Sequence, residues 1–443
     1  MQPAVITIPT ASCATEASDL QRAESRGCSP EKHSQDGSSS SRSIQEDLRK
    51  DEGPWKEDSL TPAEKLDSAR TACEQLIKSH EVSRAMTELI RCVALSRLVY
   101  GDGHWRLAEA FANVAYGYLK LRGLPAQAQQ HAETARDILL AGTLLPELVE
   151  KKDILPTLMT TYYTLGVAHL MQKNLNEAHQ NLQKAEKIYQ GHQGLCRSEY
   201  RAQNVSREDL QRALGRVALQ QKRPASAVLY FEKAASCVSS TRGQDSLDLV
   251  GIYQEMARAE QMRARHEEAI EHLLQAHSIA TAQLNESVET AQAALLLAQG
   301  YAAAGSLRSS ELTEQYFKES INMFRSVLGE ENPLTFPAVD NYTSWLIQTG
   351  RQQQALELLR STLQRRVEAF GNYSDSMADT LSLMSSITLA GGEMKKAYKL
   401  LKKCLEIQTV LYGSQHKKSR QTQQLLDMLN KSPAVCKNSL QPQ

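Results

Sequence analysis

Three arginines and three amide side chains carry the recognition chemistry that this sequence offers. Arg212 and Arg216 stand four residues apart, and Gln254 and Arg258 repeat that spacing 42 residues later. Four residues is about one turn of a helix, so each pair would share a face. A guanidinium presents a planar fork of donors that grips a carboxylate through two parallel hydrogen bonds, and three of them on one surface suit an acidic peptide. Asn113 and Asn341 add side chains that both donate and accept, as is needed to hold the backbone of a bound peptide. Polar residues that merely keep an exposed helix soluble would look the same one by one. Lysine would serve solubility equally well, so the arginines as a set keep recognition open.

Catalytic chemistry finds no such support. The run His266-Glu267-Glu268-Ala269-Ile270 begins like a zinc protease motif, but the second histidine would have to stand at Ile270. His272 lies six residues beyond His266, off the face needed for joint coordination. No Gly-x-Ser-x-Gly elbow is present, and no Ser, His and Asp set can be defended. The chain is therefore expected to bind rather than catalyse, with no metal and no cofactor.

Those candidate side chains need helices to position them, and the sequence supplies a repeating pair. A triad with intervals of four and three recurs eight times: Ala85/Leu89/Cys92, Ala128/Ala132/Ala135, Ala178/Leu182/Ala185, Ala227/Phe231/Ala234, Ala269/Leu273/Ala276, Thr313/Phe317/Ser320, Ala355/Leu359/Thr362 and Ala397/Leu401/Cys404. Such intervals place three side chains on one helical stripe, and small residues at both ends let a second helix approach closely. A partner helix precedes each triad, clearest as Tyr162, Leu165 and Gly166 before Ala178, and as Leu214 and Gly215 before Ala227. Together these match the tetratricopeptide pattern. The predicted fold class is all-α: an α-solenoid of about eight tetratricopeptide (TPR) helix pairs. In such pairs the first helix lines the concave face, which is where Arg212, Arg216, Gln254 and Arg258 fall.

Successive triads are 43, 50, 49, 42, 44, 42 and 42 residues apart. These exceed the roughly 34 of a minimal unit and resemble the repeats of kinesin light chains. The connectors Tyr100–Trp105, Leu328–Pro333, Phe370–Asp375 and Tyr412–Lys417 carry that likeness. In them Gly101, Gly329, Gly371 and Gly413 are read as left-handed helix stops. Two interruptions, 136–157 and 187–207, read as elongated helices with surface loops, or else as a partner-binding loop or a change of superhelical pitch.

The solenoid is expected over 61–430, starting at Thr61-Pro62 and closing with an amphipathic capping helix near 415–430. Residues 1–60, with the run Ser34–Ser43 and few large apolar side chains, are expected to be disordered apart from a transient helix near 44–50. The tail 431–443 is expected to be loose. Eight scattered cysteines without a Cys-x-x-Cys pair point to reduced thiols in a cytosolic protein. Acidic and basic side chains balance at 51 each, so net charge gives no reason to expect nucleic acid or an anionic membrane. The apolar stretch at 293–304 is too short to span a bilayer. One end departs from this balance: residues 395–437 hold ten Lys or Arg against two Asp or Glu. That basic end supports a second reading, a microtubule- or nucleic-acid-associated protein acting through its C-terminal region, whose binding would weaken steeply with salt.

The stretches Glu88–Ala132 and Lys402–His416 resemble the tetratricopeptide repeat protein 23 family, over roughly residues 62–430. The resemblance implies a non-enzymatic scaffold that binds protein or peptide partners and no small-molecule substrate. It also implies a place in the cytoplasm and cytoskeleton, at the centrosome, the spindle or midbody, or the base of the cilium.

Overall fold

The computed structural model describes residues 60–142, 148–193, 205–305 and 310–431. The expectations for the start of the chain, for the tail, and for parts of both interruptions fall outside these residues, save Leu60 and Lys431 at the edges.

Among the described residues the chain forms seventeen α-helices, sixteen of them in eight pairs. The pairs are α1 (Pro62–Lys78) with α2 (Val82–Tyr100), α3 (Trp105–Leu121) with α4 (Pro125–Gly142), and α5 (Leu148–Met171) with α6 (Leu175–Gln193). Then come α7 (Arg207–Gln220) with α8 (Pro224–Arg242), α9 (Asp248–Met262) with α10 (His266–Leu284), and α11 (Val288–Ala304) with α12 (Ser310–Leu328). The series ends with α13 (Phe336–Gln348) and α14 (Gln352–Phe370), α15 (Asp375–Ala390) and α16 (Met394–Tyr412), and the single α17 (Lys417–Asn430). The fold is the expected TPR solenoid with a C-terminal capping helix. At its start the Thr61 hydroxyl accepts from the Glu64 amide while the Glu64 carboxylate accepts from the Thr61 amide, a reciprocal cap ahead of Pro62.

Two backbone devices set the geometry. Within pairs, three-residue turns carry a middle residue at positive φ: His80, Gly123, Lys173, Lys222, Ala264, Gly350 and Gly392. Four of these are not glycine, and the conformation is unfavourable for a side chain with a Cβ. A bond from the next residue's amide back across the helix end holds it, as from Arg223 to the Ala218 carbonyl (2.8 Å) and from Arg351 to that of Leu346 (2.8 Å). Between pairs the geometry differs from the expected left-handed stop. Gly101, Gly371 and Gly413 have φ of 83, 79 and 85° but ψ of 175, 167 and 161°. That combination of positive φ and extended ψ is essentially open only to glycine, and it sends the chain out straight into the next pair.

Packing follows the triads. All twenty-four triad side chains are buried. Facing them, glycines on first helices permit close approach: a Cβ at Gly215 would stand 2.4 Å from the Phe231 ring, and one at Gly166 would stand 2.5 Å from Leu182. In the second unit the roles are exchanged. Small Ala132 occupies the place of Leu182 and Phe231, and Tyr116, in the register of Gly166 and Gly215, packs into the same cluster.

First helices of successive units also touch one another, α3 with α5, α5 with α7, α7 with α9, α9 with α11 and α11 with α13, whereas second helices among the described residues are not in comparable contact. The stack therefore curves with its first helices inside. Both α5 and α6 pack against α7, so the solenoid runs on through the second interruption.

Side-chain clamps tie units together, and Glu314 on α12 is heavily used. Lys318 (2.7 Å), Arg351 (2.6 Å) and the Tyr342 hydroxyl (3.1 Å) all bond to it. Chiefly the Lys318 and Arg351 bonds hold its carboxyl down to about 2, against an ordinary 4.5.

The close approach of α7 to α8 makes Gly215→Ala costly, by about 1–3 kcal/mol, with faster amide exchange in α7 and α8 and little change in distant units. Phe231→Leu should restore part of that loss; exchange in G215A indistinguishable from the unaltered chain would refute the close approach. A depressed carboxyl stabilises above its unfolded pKa and loses its effect as pH falls through the folded value. Protection across α12 and α13 should therefore be retained above pH 4.5 and decline toward pH 2, and Glu314→Gln should remove that pH dependence.

Candidate functional site

The inner face carries the candidate residues. Counted back from the positive-φ turn residue of each unit, Asn113, Tyr163, Arg212, Gln254 and Asp340 share one register on first helices, and Val167, Arg216 and Arg258 share the register one turn on. Asn341 lies one residue off it. Its amide nitrogen donates to the Pro337 carbonyl of its own helix (2.7 Å). Asn113 is half-buried on α3, and the inner helices α5, α7, α9 and α11 separate it from Asn341, so the two amides do not form one site.

Arg212 and Arg216 do come together, and they come together on a carboxylate of the chain itself. Glu255, on the neighbouring inner helix α9, receives Arg216 at 2.5 Å through one oxygen and Arg212 at 3.5 Å through the other. Gly251 makes room for this, because a Cβ there would stand 3.1 Å from Arg212 Nη2. Arg216 remains half exposed while Glu255 is 19% exposed. Gln254 is half-buried, and Arg258 is exposed with no ion pair among the described residues. Spacing along the chain did not reveal Glu255. Helical periodicity relates residues within one helix, whereas this pairing crosses between helices and joins residues 39 positions apart.

A groove of about 270 Å³ opens beside this pair, between α3, α5 and α7. Tyr163, Val167 and Leu170 form its apolar floor, Met171 lies 48% exposed at its edge, and Lys120, Arg212 and Arg216 stand around it. Lys120 pairs with Asp209 at 3.6 Å and lies over the rings of Tyr116 and Tyr163. Burial pushes the Tyr116 phenol up to about 12 and raises that of Tyr163 further, so both rings act here as neutral surface. A second cavity of about 290 Å³ lies on the other side of Arg212, where Arg242 bonds to Glu208 (2.8 Å) and Asp248. The charges around both are matched within the chain; the first groove differs in its apolar floor and in the exposed Met171 at its edge.

Among the described residues no cluster of three His, Cys, Asp or Glu could hold a metal ion. Likewise, no helix among them is long and apolar enough to cross a membrane. His272, weighed above as a metal ligand, is half-buried and stacks on Tyr253.

No family model matches the sequence. Individual relatives do. Tetratricopeptide repeat protein 23-like of Mus musculus is 42% identical over 374 residues, covering 84% of this chain and 81% of that protein. The chain belongs to the tetratricopeptide repeat protein 23 family. Tetratricopeptide repeat protein 23 of Homo sapiens is 36% identical over 381 residues, 84% of this chain and 83% of that protein. Among solved structures, the apo form of RapI superposes with a TM-score of 0.53 at 12% identity, over 83% of this chain and 97% of that one, a likeness of fold alone.

If Glu255 occupies the guanidinium fork, Glu255→Gln should free it at a stability cost below about 1 kcal/mol. Phenylglyoxal, which modifies accessible arginines, should then label Arg212 and Arg216 several times faster, as read by mass spectrometry of the digested protein. Equal labelling rates in E255Q and the unaltered chain would show that the carboxylate does not shield them.

Proposed function

We propose that this member of the family is a non-enzymatic adaptor whose inner groove holds an acidic segment of a partner protein. The observation that carries the reading is the half-exposed Arg216, with Arg212, already seating a carboxylate beside an apolar floor. A partner's Asp or Glu can replace Glu255 in that fork, since one charge-assisted bond is exchanged for another. Apolar side chains next to it would cover Met171 and Val167, and burial of the partner's own apolar surface against them supplies the net gain. The exposed Arg258 extends the positive surface to the fifth unit. We place the adaptor in centrosomal, spindle or midbody, or ciliary complexes, a location supported by the family resemblance.

The test compares the unaltered chain with Arg212→Ala, Arg216→Ala and Arg258→Ala combined. Helicity should stay nearly unchanged and the melting temperature should fall only slightly, because none of the three side chains is buried and the pairing with Glu255 that is lost is partly solvent-exposed. Proximity labelling in ciliated cells should lose its main partners with the triple variant. Undiminished recovery of the same partners would remove the arginine groove from consideration.

A further inference from the structure

We infer that the outer face of α16 is a second docking surface, for an acidic polypeptide segment, on the side of the solenoid away from the groove. Lys395, Lys399, Lys402 and Lys403 are all exposed there, opposite the buried Ala397, Leu401 and Cys404. No ion pair reaches any of the four among the described residues. The carboxylates nearest in sequence are engaged elsewhere: Glu393 by Lys396 (3.0 Å), Glu406 by the Tyr373 hydroxyl (3.2 Å), and Asp379 and Asp375 by Lys418 (3.3 and 3.6 Å).

Helix stability does not account for the stripe. Lys395 stands in the first turn of α16, which holds no acidic residue, and cations are disfavoured at that end of the helix dipole. Lysines one turn apart, as at 395, 399 and 403, repel one another. A surface that is unfavourable to the free helix and unmatched within the chain is complementary to an external anion.

The stripe's chemistry selects the kind of anion. Successive lysines one turn apart advance about 6 Å, close to the roughly 6.6 Å between alternate residues of an extended chain. An extended segment with acidic residues at every second position therefore meets them in step. Nucleic acid fits less well. The stripe has no arginine fork for phosphate, and Tyr398 is half-buried toward the Leu401, Leu426 and Leu429 cluster, leaving no platform for a base. A membrane surface would want apolar side chains beside the lysines, yet along α16 the exposed large apolar residues begin only at Val410.

The experiment titrates the full chain with a fluorescent glutamate decamer at low salt, beside a thymidine decamer and vesicles containing phosphatidylserine. Changing Lys395, Lys399, Lys402 and Lys403 together to Gln should weaken the glutamate decamer at least tenfold, and changing them to Arg should retain it. The groove variant of Arg212, Arg216 and Arg258 should bind the decamer within twofold of the unaltered chain, which separates this surface from the adaptor groove. Binding by the Lys→Gln variant within twofold of the unaltered chain would overturn the proposal. So would tighter binding of the thymidine decamer or the vesicles than of the glutamate decamer through the same four lysines.

Discussion

The rest of the structure depends on how closely two helices can approach within each unit. Where Gly166 faces Leu182 and Gly215 faces Phe231, there is no space for even one methyl group. That closeness sets the angle at which each pair leaves its turn, and every unit repeats the geometry against its neighbours. Because the apolar faces are completed only by adjacent units, local packing propagates into a continuous inner row of first helices. The groove and its arginines are a consequence of that row, not a separate construction.

Much of the fold was legible because the triads report packing directly. Small residues at fixed helical spacing let a second helix come close, and all of these positions are buried. The second unit shows why the pattern need not be uniform. Ala132 looks like a gap when read alone, but Tyr116 on the facing helix packs into the same cluster. What remained illegible was of two kinds. The non-glycine residues His80, Lys173, Lys222 and Ala264 adopt left-handed turns that their types do not advertise, since backbone bonds across the helix end impose them. The other kind is pairing across helices, of which Glu255 with Arg212 and Arg216 is the main instance.

The candidate site was legible in part for the same reason. Helical spacing placed Arg212, Arg216, Gln254 and Arg258 on inner helices, because register within a helix is a local property. It also offered Asn341 as an amide for a bound backbone, whereas the structure puts Asn341 one residue off the inner register, which Asp340 occupies. It could not show that two of the arginines are already satisfied. A guanidinium bound by an internal carboxylate is a different reagent from a free one: it selects for ligands that bring both a competing acid and apolar surface, because the acid alone gains little over Glu255.

Chain-wide neutrality conceals how unevenly charge is satisfied. On the inner face several cations meet anions from other helices, as Lys120 meets Asp209 and Lys418 meets Asp375 and Asp379, while Arg258 meets none among the described residues. On the outer face of α16 the four lysines meet none among the described residues. Internally matched charge fixes geometry, since each pair holds two helices in register. Unmatched charge contributes nothing to the fold and opposes it slightly through like-charge repulsion. Cations of the same types are thus put to different uses along one solenoid, the paired ones tying helices together and the unpaired ones leaving their charge exposed to solvent.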